Sequence, residues 1–214
     1  MNGTSKITLA KVGIFVASLL PLANLALDAI HSKLTANPIA EAMNRLGFWT
    51  LSFLVLSLAP TPLKTVFGWT FPMRVRRMVG LFAFFYAFLH FATYLALDQG
   101  FDFADIGADI VKRKFITVGF AAFVLLLPLA ATSTDWAVKR LGFRRWKRLH
   151  RLAYAAAVLG VIHFVWRVKA DLLQPVLFGA VLAVLLGVRL ATRSKKRAAA
   201  KPPSVEGGGG LTTS

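Results

Sequence analysis

Six long apolar stretches dominate this sequence and limit the folds that it can form. They lie at about 8–27, 46–60, 78–97, 115–131, 151–167 and 172–191. Most approach the roughly 20 apolar residues with which a helix crosses a bilayer. They are continuously apolar and do not alternate with polar residues, as the strands of a membrane barrel do. The sequence therefore predicts an all-α integral membrane protein, a bundle of six transmembrane helices.

The distribution of charge predicts how this bundle is oriented. The chain has 26 Lys and Arg against 9 Asp and Glu, which gives a formal net charge of +17. If the N-terminus is cytoplasmic, most of the basic residues fall in the segments 1–11, 61–77, 132–151 and 189–214, on the cytoplasmic side. Such an excess of basic residues in cytoplasmic segments is typical of membrane proteins. We therefore expect both termini in the cytoplasm, and the basic charge needs no nucleic-acid partner.

The chain has no cysteine, and its C-terminal end differs in composition from the rest. The lack of cysteine excludes disulfides, iron–sulfur clusters and covalent attachment of haem. After Arg193 the sequence is basic and then rich in glycine, and it cannot bury a core. The sequence thus predicts two parts: a six-helix transmembrane domain, 1–192, and a disordered, basic and glycine-rich cytoplasmic tail, 193–214.

Two histidines lie deep within predicted spans that are otherwise apolar. His90 lies in the third span and His163 in the fifth. A polar ring inside a membrane is costly without a partner, so it indicates function. Both spans run from the inside to the outside, and both rings lie in the outer half, at depths that differ by ~5 Å. Two imidazoles at a similar depth could ligate one planar metal centre from opposite sides.

The residues seven and three positions before each of these histidines are small. They are Ala83 and Ala87 in the third span, and Ala156 and Gly160 in the fifth. Seven residues make nearly two helical turns, so each set lies along the same face as its histidine. We expect these faces to give the edge of a porphyrin its clearance. The alternative is that small residues simply let membrane helices pack closely.

The lack of other deep polar residues narrows the choice of metal. No acidic residue and no methionine lies deep in a predicted span. Zinc takes three or four ligands, and copper usually a thiolate or thioether as well. Two histidines alone are typical of bis-imidazole haem b. A histidine pair that relays protons in a cofactor-free transporter or channel is the alternative that the residues leave open.

A third histidine lies near the predicted inner surface. His150 precedes His163 by 13 residues, which is about 20 Å along a helix and a rotation of about 140°. At the corresponding positions the third span has Arg76 and Arg77, so a complete second pair of histidines is not encoded. We expect His150 to ligate a second haem with an unusual partner, to contact a propionate, a flavin or a quinone, or to be an ordinary interfacial residue.

Arginines cluster at the same predicted surface. The guanidinium group binds carboxylate and phosphate bidentately. Four arginines are candidates for contacts with haem propionates or with the phosphate of a flavin: Arg76, Arg77, Arg148 and Arg151. Most of the cluster also serves to orient the protein and to contact anionic lipids.

Two stretches of the sequence resemble a known family. Residues 76–90 read RRMVGLFAFFYAFLH, and residues 145–154 read RWKRLHRLAY, with His163 following. They look like the MsrQ family, the haem-binding membrane subunits of bacterial methionine sulfoxide reductase systems. That family belongs with the ferric-reductase-like transmembrane domains. The resemblance covers about residues 8–192.

The resemblance implies roles that the residues alone do not reveal. The haem-ligand histidines of the family fall on His90 and His163, and His150 matches a third histidine implicated in haem binding. The family also uses FMN. It takes electrons from quinone or from a cytosolic flavin reductase and delivers them to MsrP, a periplasmic molybdopterin enzyme that reduces methionine sulfoxide in oxidised proteins. We therefore expect an electron-transfer subunit of the bacterial inner membrane, without a catalytic centre beyond its redox cofactors.

Overall fold

The described part of the molecule is entirely helical apart from its turns. The computed structural model describes residues 3–168 and 171–199, and these residues form no strand. Its α-helices are α1 (Gly3–Ile30), α2 (Pro38–Leu58), α3 (Pro60–Phe67), α4 (Phe71–Thr93), α5 (Phe103–Lys112), α6 (Lys114–Ala131), α7 (Asp135–Leu141), α8 (Phe143–Leu149), α9 (Leu152–Arg167) and α10 (Leu173–Ala199). A π-helical segment, Tyr94–Asp98, continues α4. The all-α prediction is confirmed.

Six segments of the described chain are long and apolar enough to cross a membrane. They are Ser5–Ile30, Pro38–Phe67, Phe71–Asp98, Lys114–Ala131, Phe143–Arg167 and Leu173–Thr192. Each overlaps one of the six spans expected from the sequence, which confirms the six-helix membrane bundle. The cytoplasmic position of the termini stays a prediction.

The second span is longer than its apolar stretch suggested. Helix α2 ends at Leu58, and α3 begins at Pro60 after a single residue. Both Pro60 and Pro62 lie in the first turn of α3, where a missing N–H needs no partner. The prolines therefore divide the span into two helices instead of ending it.

Four helices form the centre of the bundle. The most extensive contacts are those of α2 with α4 and of α6 with α9. The two pairs are joined because α9 also contacts α2, and α6 also contacts α4. Helices α1 and α10 pack against this group from outside. The arrangement leaves the middle of the four helices available for a site.

A buried tyrosine attaches the first helix to this centre. Tyr86 on α4 is fully buried, and its hydroxyl donates to the carbonyl of Ser18 at 2.8 Å and accepts from the N–H of Leu22 at 3.2 Å. These two backbone groups are partners in a regular helix, so the hydroxyl bridges them. Pro21, which has no N–H, lies within the same turn of α1. The hydroxyl thus attaches α4 to α1 beside a position where α1 lacks one of its own hydrogen bonds.

The last helix reaches into the predicted tail. Helix α10 ends at Ala199, so residues 193–199 have a helical backbone although the sequence predicts that the tail begins at residue 193. Residues 200–214 lie outside the described residues, and disorder there stays a prediction.

Candidate functional site

A cavity of about 420 Å³ lies between α2, α4, α6 and α9. Cavities of roughly 300–1,000 Å³ are typical of cofactor and small-molecule sites. Both deep histidines line it, and most of the remaining wall is apolar. Three of the predicted small residues also line it: Ala87, Ala156 and Gly160. The fourth, Ala83, is fully buried in the core and does not reach the cavity wall.

The two deep histidines come together in this cavity. The ring centroids of His90 and His163 are 6.2 Å apart, and the ring planes are inclined at 83°. One metal ion in line between two imidazoles needs a centroid separation of about 6.2 Å, from metal–nitrogen bonds of about 2.0 Å and about 1.1 Å from each nitrogen to its ring centre. The rings are therefore at the distance that a shared metal ion requires.

Backbone carbonyl groups orient both rings in the same way. Nδ1 of His90 donates to the carbonyl of Met43 at 2.8 Å, and Nδ1 of His163 donates to that of Phe115 at 2.7 Å. A carbonyl only accepts, so the proton of each neutral ring is on Nδ1, and the lone pair on Nε2 is available to a metal. Metal-binding histidines typically donate their second nitrogen to such an acceptor.

A glycine faces each histidine from the neighbouring helix. A Cβ atom at Gly119 would lie 2.6 Å from Nδ1 of His163, and one at Gly47 would lie 3.3 Å from Nδ1 of His90. The first distance does not allow any side chain unless the ring moves. Each glycine follows the carbonyl acceptor by four residues, so one helical turn supplies both the hydrogen bond and the space. Neither glycine was predicted from the sequence.

The two halves of the cavity are related by a constant shift in the sequence. The lining residues of α6 lie 72 positions after those of α2, as Phe115 follows Met43. Nearly all those of α9 lie 73 positions after those of α4 and its π-helical extension. Residues 47–48 and 119–120 both read Gly-Phe, and 90–91 and 163–164 both read His-Phe. These dipeptides are the signal that could have revealed the repeat.

The arginines predicted to contact anionic cofactor groups do not line this cavity. They are Arg76, Arg77, Arg148 and Arg151. One of them, Arg77, instead forms an ion pair with Asp135, and its guanidinium group holds the pKa of that carboxyl below its usual value. The arginines that do line the cavity are Arg113 and Arg167, which the sequence did not single out.

His150 lies outside the cavity, at the junction of α8 and α9. Its ring stacks on Trp146 with centroids 4.0 Å apart, and its Nε2 is 3.1 Å from the hydroxyl oxygen of Thr132. That hydroxyl donates to the carbonyl of Pro128 at 2.6 Å, so its oxygen accepts from Nε2. His150 therefore carries its proton on the opposite nitrogen from the other two rings. Within the described residues no second histidine faces it.

The fold and the paired histidines define a class of protein, and comparison with known proteins agrees. A family model described as "Ferric reductase like transmembrane component" matches residues 45–161, which include most of all four cavity helices. The molecule is thus a membrane protein with a ferric-reductase-like transmembrane domain.

Similar proteins narrow this class to one family. A protein of Rhodospirillum rubrum is 53% identical over 196 residues, which cover 92% of this chain and 94% of that protein. One of Herminiimonas arsenicoxydans is 52% identical over 194 residues, with 90% and 89% covered. One of Azospira oryzae is 48% identical over 184 residues, with 86% and 79% covered. All three carry the name protein-methionine-sulfoxide reductase heme-binding subunit MsrQ. The chain belongs to the MsrQ family.

Proposed function

We propose that this protein is the haem-binding, electron-carrying membrane subunit of a methionine sulfoxide reductase system. The observation that carries the proposal is the pair of rings, His90 and His163, held 6.2 Å apart with both Nδ1 atoms bonded to backbone carbonyls. The names of the relatives, which describe haem-binding subunits of such reductases, support the same conclusion.

Haem b is the group that these residues fit. His90 and His163 would hold it through Nε2. Gly47 and Gly119 have no side chain and so leave room for the two rings. When bound, haem b supplies one-electron redox chemistry. With both histidines bound to it, the iron would have no open position for a substrate, which favours electron transfer. Most of the wall around the rings is apolar, and the backbone carbonyls fix the orientation of both rings.

The position of the cavity supports delivery of electrons outward. His90 precedes Asp98, the end of its span, by eight residues, or about 12 Å of helix, and follows Phe71 by nineteen, or about 28 Å. If the termini are cytoplasmic, the cavity therefore lies nearer the periplasmic surface. The acceptor in this proposal is the periplasmic molybdopterin subunit MsrP, and the location is the bacterial inner membrane.

The inner half of the bundle is where we place the entry of electrons. Quinol or a cytosolic flavin reductase is the proposed donor, and FMN is the proposed second cofactor. His150 and the arginines Arg76, Arg77, Arg148 and Arg151 lie toward this end. Because guanidinium groups bind phosphate bidentately, this surface suits the phosphate of FMN. The free Nδ1 of His150 offers one further acceptor or ligand there.

The visible spectrum of the purified protein tests haem binding. Protein produced with ample haem should be coloured and show a reduced b-type spectrum of six-coordinate haem. Ring planes inclined at 83° also make the two iron orbitals that interact with the rings nearly equal in energy, so the ferric protein should give a strongly anisotropic low-spin EPR signal. A colourless preparation would contradict the proposal and favour a cofactor-free transporter or proton channel.

Electron delivery needs a separate test. In membrane vesicles that contain this protein, a quinol or a reduced flavin should support reduction of methionine sulfoxide by purified MsrP. Vesicles that contain the His163→Ala variant are the matched control. Equal rates in both would show that the electrons reach MsrP by another route.

A further inference from the structure

Charged side chains gather at one end of the cavity, beyond the paired histidines. Arg113, Arg167 and Asp98 line this end, whereas most of the remaining wall is apolar. Asp98 is exposed, and the amide of Gln99 donates to it at 3.0 Å. The two guanidinium groups thus face a largely apolar cavity, where a cation needs an anionic partner.

Arg167 lies on the same helix as one of the candidate ligands. It follows His163 by four residues, which is one turn of α9 and about 6 Å along its axis. Its residue is partly buried, and its side chain forms neither an ion pair nor a hydrogen bond with any residue that the structure describes. The guanidinium group is therefore available to a ligand one turn beyond the imidazole.

Arg113 reaches the same end of the cavity from the neighbouring helix. It is the N-cap residue of α6, two positions before Phe115, whose carbonyl orients His163. Its Nε donates to Asp109 at 3.2 Å, and 56% of its side chain is exposed, which leaves the terminal nitrogens for a second partner. The positive end of the α6 dipole adds to the attraction for an anion here.

The other half of the cavity lacks both cations. By the same shifts in sequence, Tyr94 is equivalent to Arg167, and Glu41 is equivalent to Arg113. Glu41 forms an ion pair with Arg45 at 2.5 Å. An anionic ligand is therefore drawn to the α6–α9 side of the cavity and not to the α2–α4 side.

We propose that Arg113 and Arg167 bind the two propionate groups of haem b and direct its propionate edge toward this end of the cavity. The inference rests on the proposed function, because it requires haem between His90 and His163. Guanidinium and carboxylate groups form charge-assisted, often bidentate hydrogen bonds. Two guanidinium groups match two propionates, and the pairing gives a counter-charge to Arg167, which has no anionic partner among the described residues.

Reconstitution of the full chain in detergent tests this inference. Wild type and variants are titrated with haem b and with its dimethyl ester, which has no propionate charge. Arg167→Gln should weaken binding of haem b by about tenfold or more, since a charged hydrogen bond is lost in a partly buried site. Arg113→Gln should have a smaller effect, because its side chain is 56% exposed. Arg167→Lys should restore part of the affinity but not the bidentate contact.

The midpoint potential supplies a second measurement. Removal of a cation near the iron favours the more positively charged ferric form, so Arg167→Gln should shift the potential to more negative values. Lys112→Gln is the matched control, because it removes a charge close to Arg113 in sequence from a residue that does not line the cavity. Its haem affinity and its potential should equal those of the wild type.

The dimethyl ester separates a contact with propionate from a general loss of structure. Wild type and Arg167→Gln should bind the ester equally, because the guanidinium group then has no carboxylate to bind. An equal loss of affinity for haem and for its ester would overturn the inference. So would an Arg167→Gln variant that matches Lys112→Gln in both affinity and potential. A wild type that binds neither compound would overturn the proposed function as well.

Discussion

The two halves of the cavity, α2 with α4 and α6 with α9, hold their histidines in the same way but differ in charge. Each half places a histidine on one helix and a carbonyl acceptor and a glycine, one turn apart, on the other. Toward the predicted outer end, however, one half has Tyr94 where the other has Arg167. Toward the inner end, Arg77 corresponds to His150.

This comparison separates two requirements of the site. Ring position depends on hydrogen bonds and close packing, which both halves supply, so the two histidines are held in equivalent ways at one cavity. The charges of one half are not repeated in the other, so they distinguish the two sides and the two ends of the cavity. We infer that the repeated features hold the metal and that the unrepeated ones orient the cofactor and its partners.

Removal of either imidazole should have the largest effect. His90→Gly and His163→Gly should each lose the six-coordinate haem spectrum, because in the proposed site each half would supply one histidine ligand. Added imidazole should restore the spectrum in both variants, since it can occupy the space of the missing ring. His31→Ala is the control, because His31 is exposed and donates to the carbonyl of Leu27 at 2.7 Å. Full haem retention by either glycine variant would refute the equivalence of the halves.

A methyl group added opposite each ring should have the next largest effect. Gly119→Ala should lower haem occupancy more than Gly47→Ala, because the new Cβ would lie 2.6 Å from one ring and 3.3 Å from the other. Overpacking of this kind costs about 1–3 kcal/mol. Haem content per protein is the measurement, and Gly187→Ala, with nothing within 4 Å, is the control. Equal occupancy in both cavity variants would contradict the difference in packing.

Loss of the Tyr86 hydroxyl, which has no counterpart in the other half, should lower the stability of the fold without changing the haem site. Tyr86→Phe removes both hydrogen bonds of the hydroxyl to α1, and a hydrogen bond contributes about 0.5–1.5 kcal/mol to stability. The thermal midpoint in detergent should fall, while the haem spectrum should be unchanged because Tyr86 does not line the cavity. Tyr94→Phe is the control, since its hydroxyl makes only a long bond of 3.4 Å to Asp109. An equal drop in both variants would argue against the docking role of Tyr86.

The smallest effect should come from the ion pair between Arg77 and Asp135 at the predicted inner end. Asp135→Asn removes the partner of Arg77, and the carboxyl is 83% exposed, so solvent screens most of the interaction. Since Arg77 lowers the pKa of Asp135 in the folded protein, the pair stabilises at neutral pH, and the stabilisation is lost as the pH falls through that lowered pKa. The thermal midpoints of wild type and variant should therefore converge in acid. A difference between the two thermal midpoints that grows as the pH falls would contradict this prediction.

Sequence patterns identified the helices and the pair of histidines because both depend on local composition. An apolar run long enough to span a membrane shows itself without knowledge of its neighbours, and so does a lone polar ring within it. Three of the four small residues also lie on the cavity wall. Ala83 does not, because it is buried in the core.

Other features depended on which helices meet, and the sequence did not reveal them. Gly47 and Gly119 matter only because histidines of other helices pack against them. The arginines at the inner surface were chosen for their number, yet the cavity is lined by Arg113 and Arg167 instead. Arg113 is the single residue between α5 and α6, and Arg167 ends a span. Neither position is unusual by composition.

The amino-acid sequence alone determined that this chain is a helical membrane bundle with two imidazoles at one depth, because hydropathy and helical spacing act along a single segment. Tertiary structure decided which atoms hold those rings and which cations reach them. The carbonyl acceptors and close glycines that meet each ring lie on helices far from the histidines in sequence, as does Arg113. Their distances depend on the register between helices, which no single segment encodes.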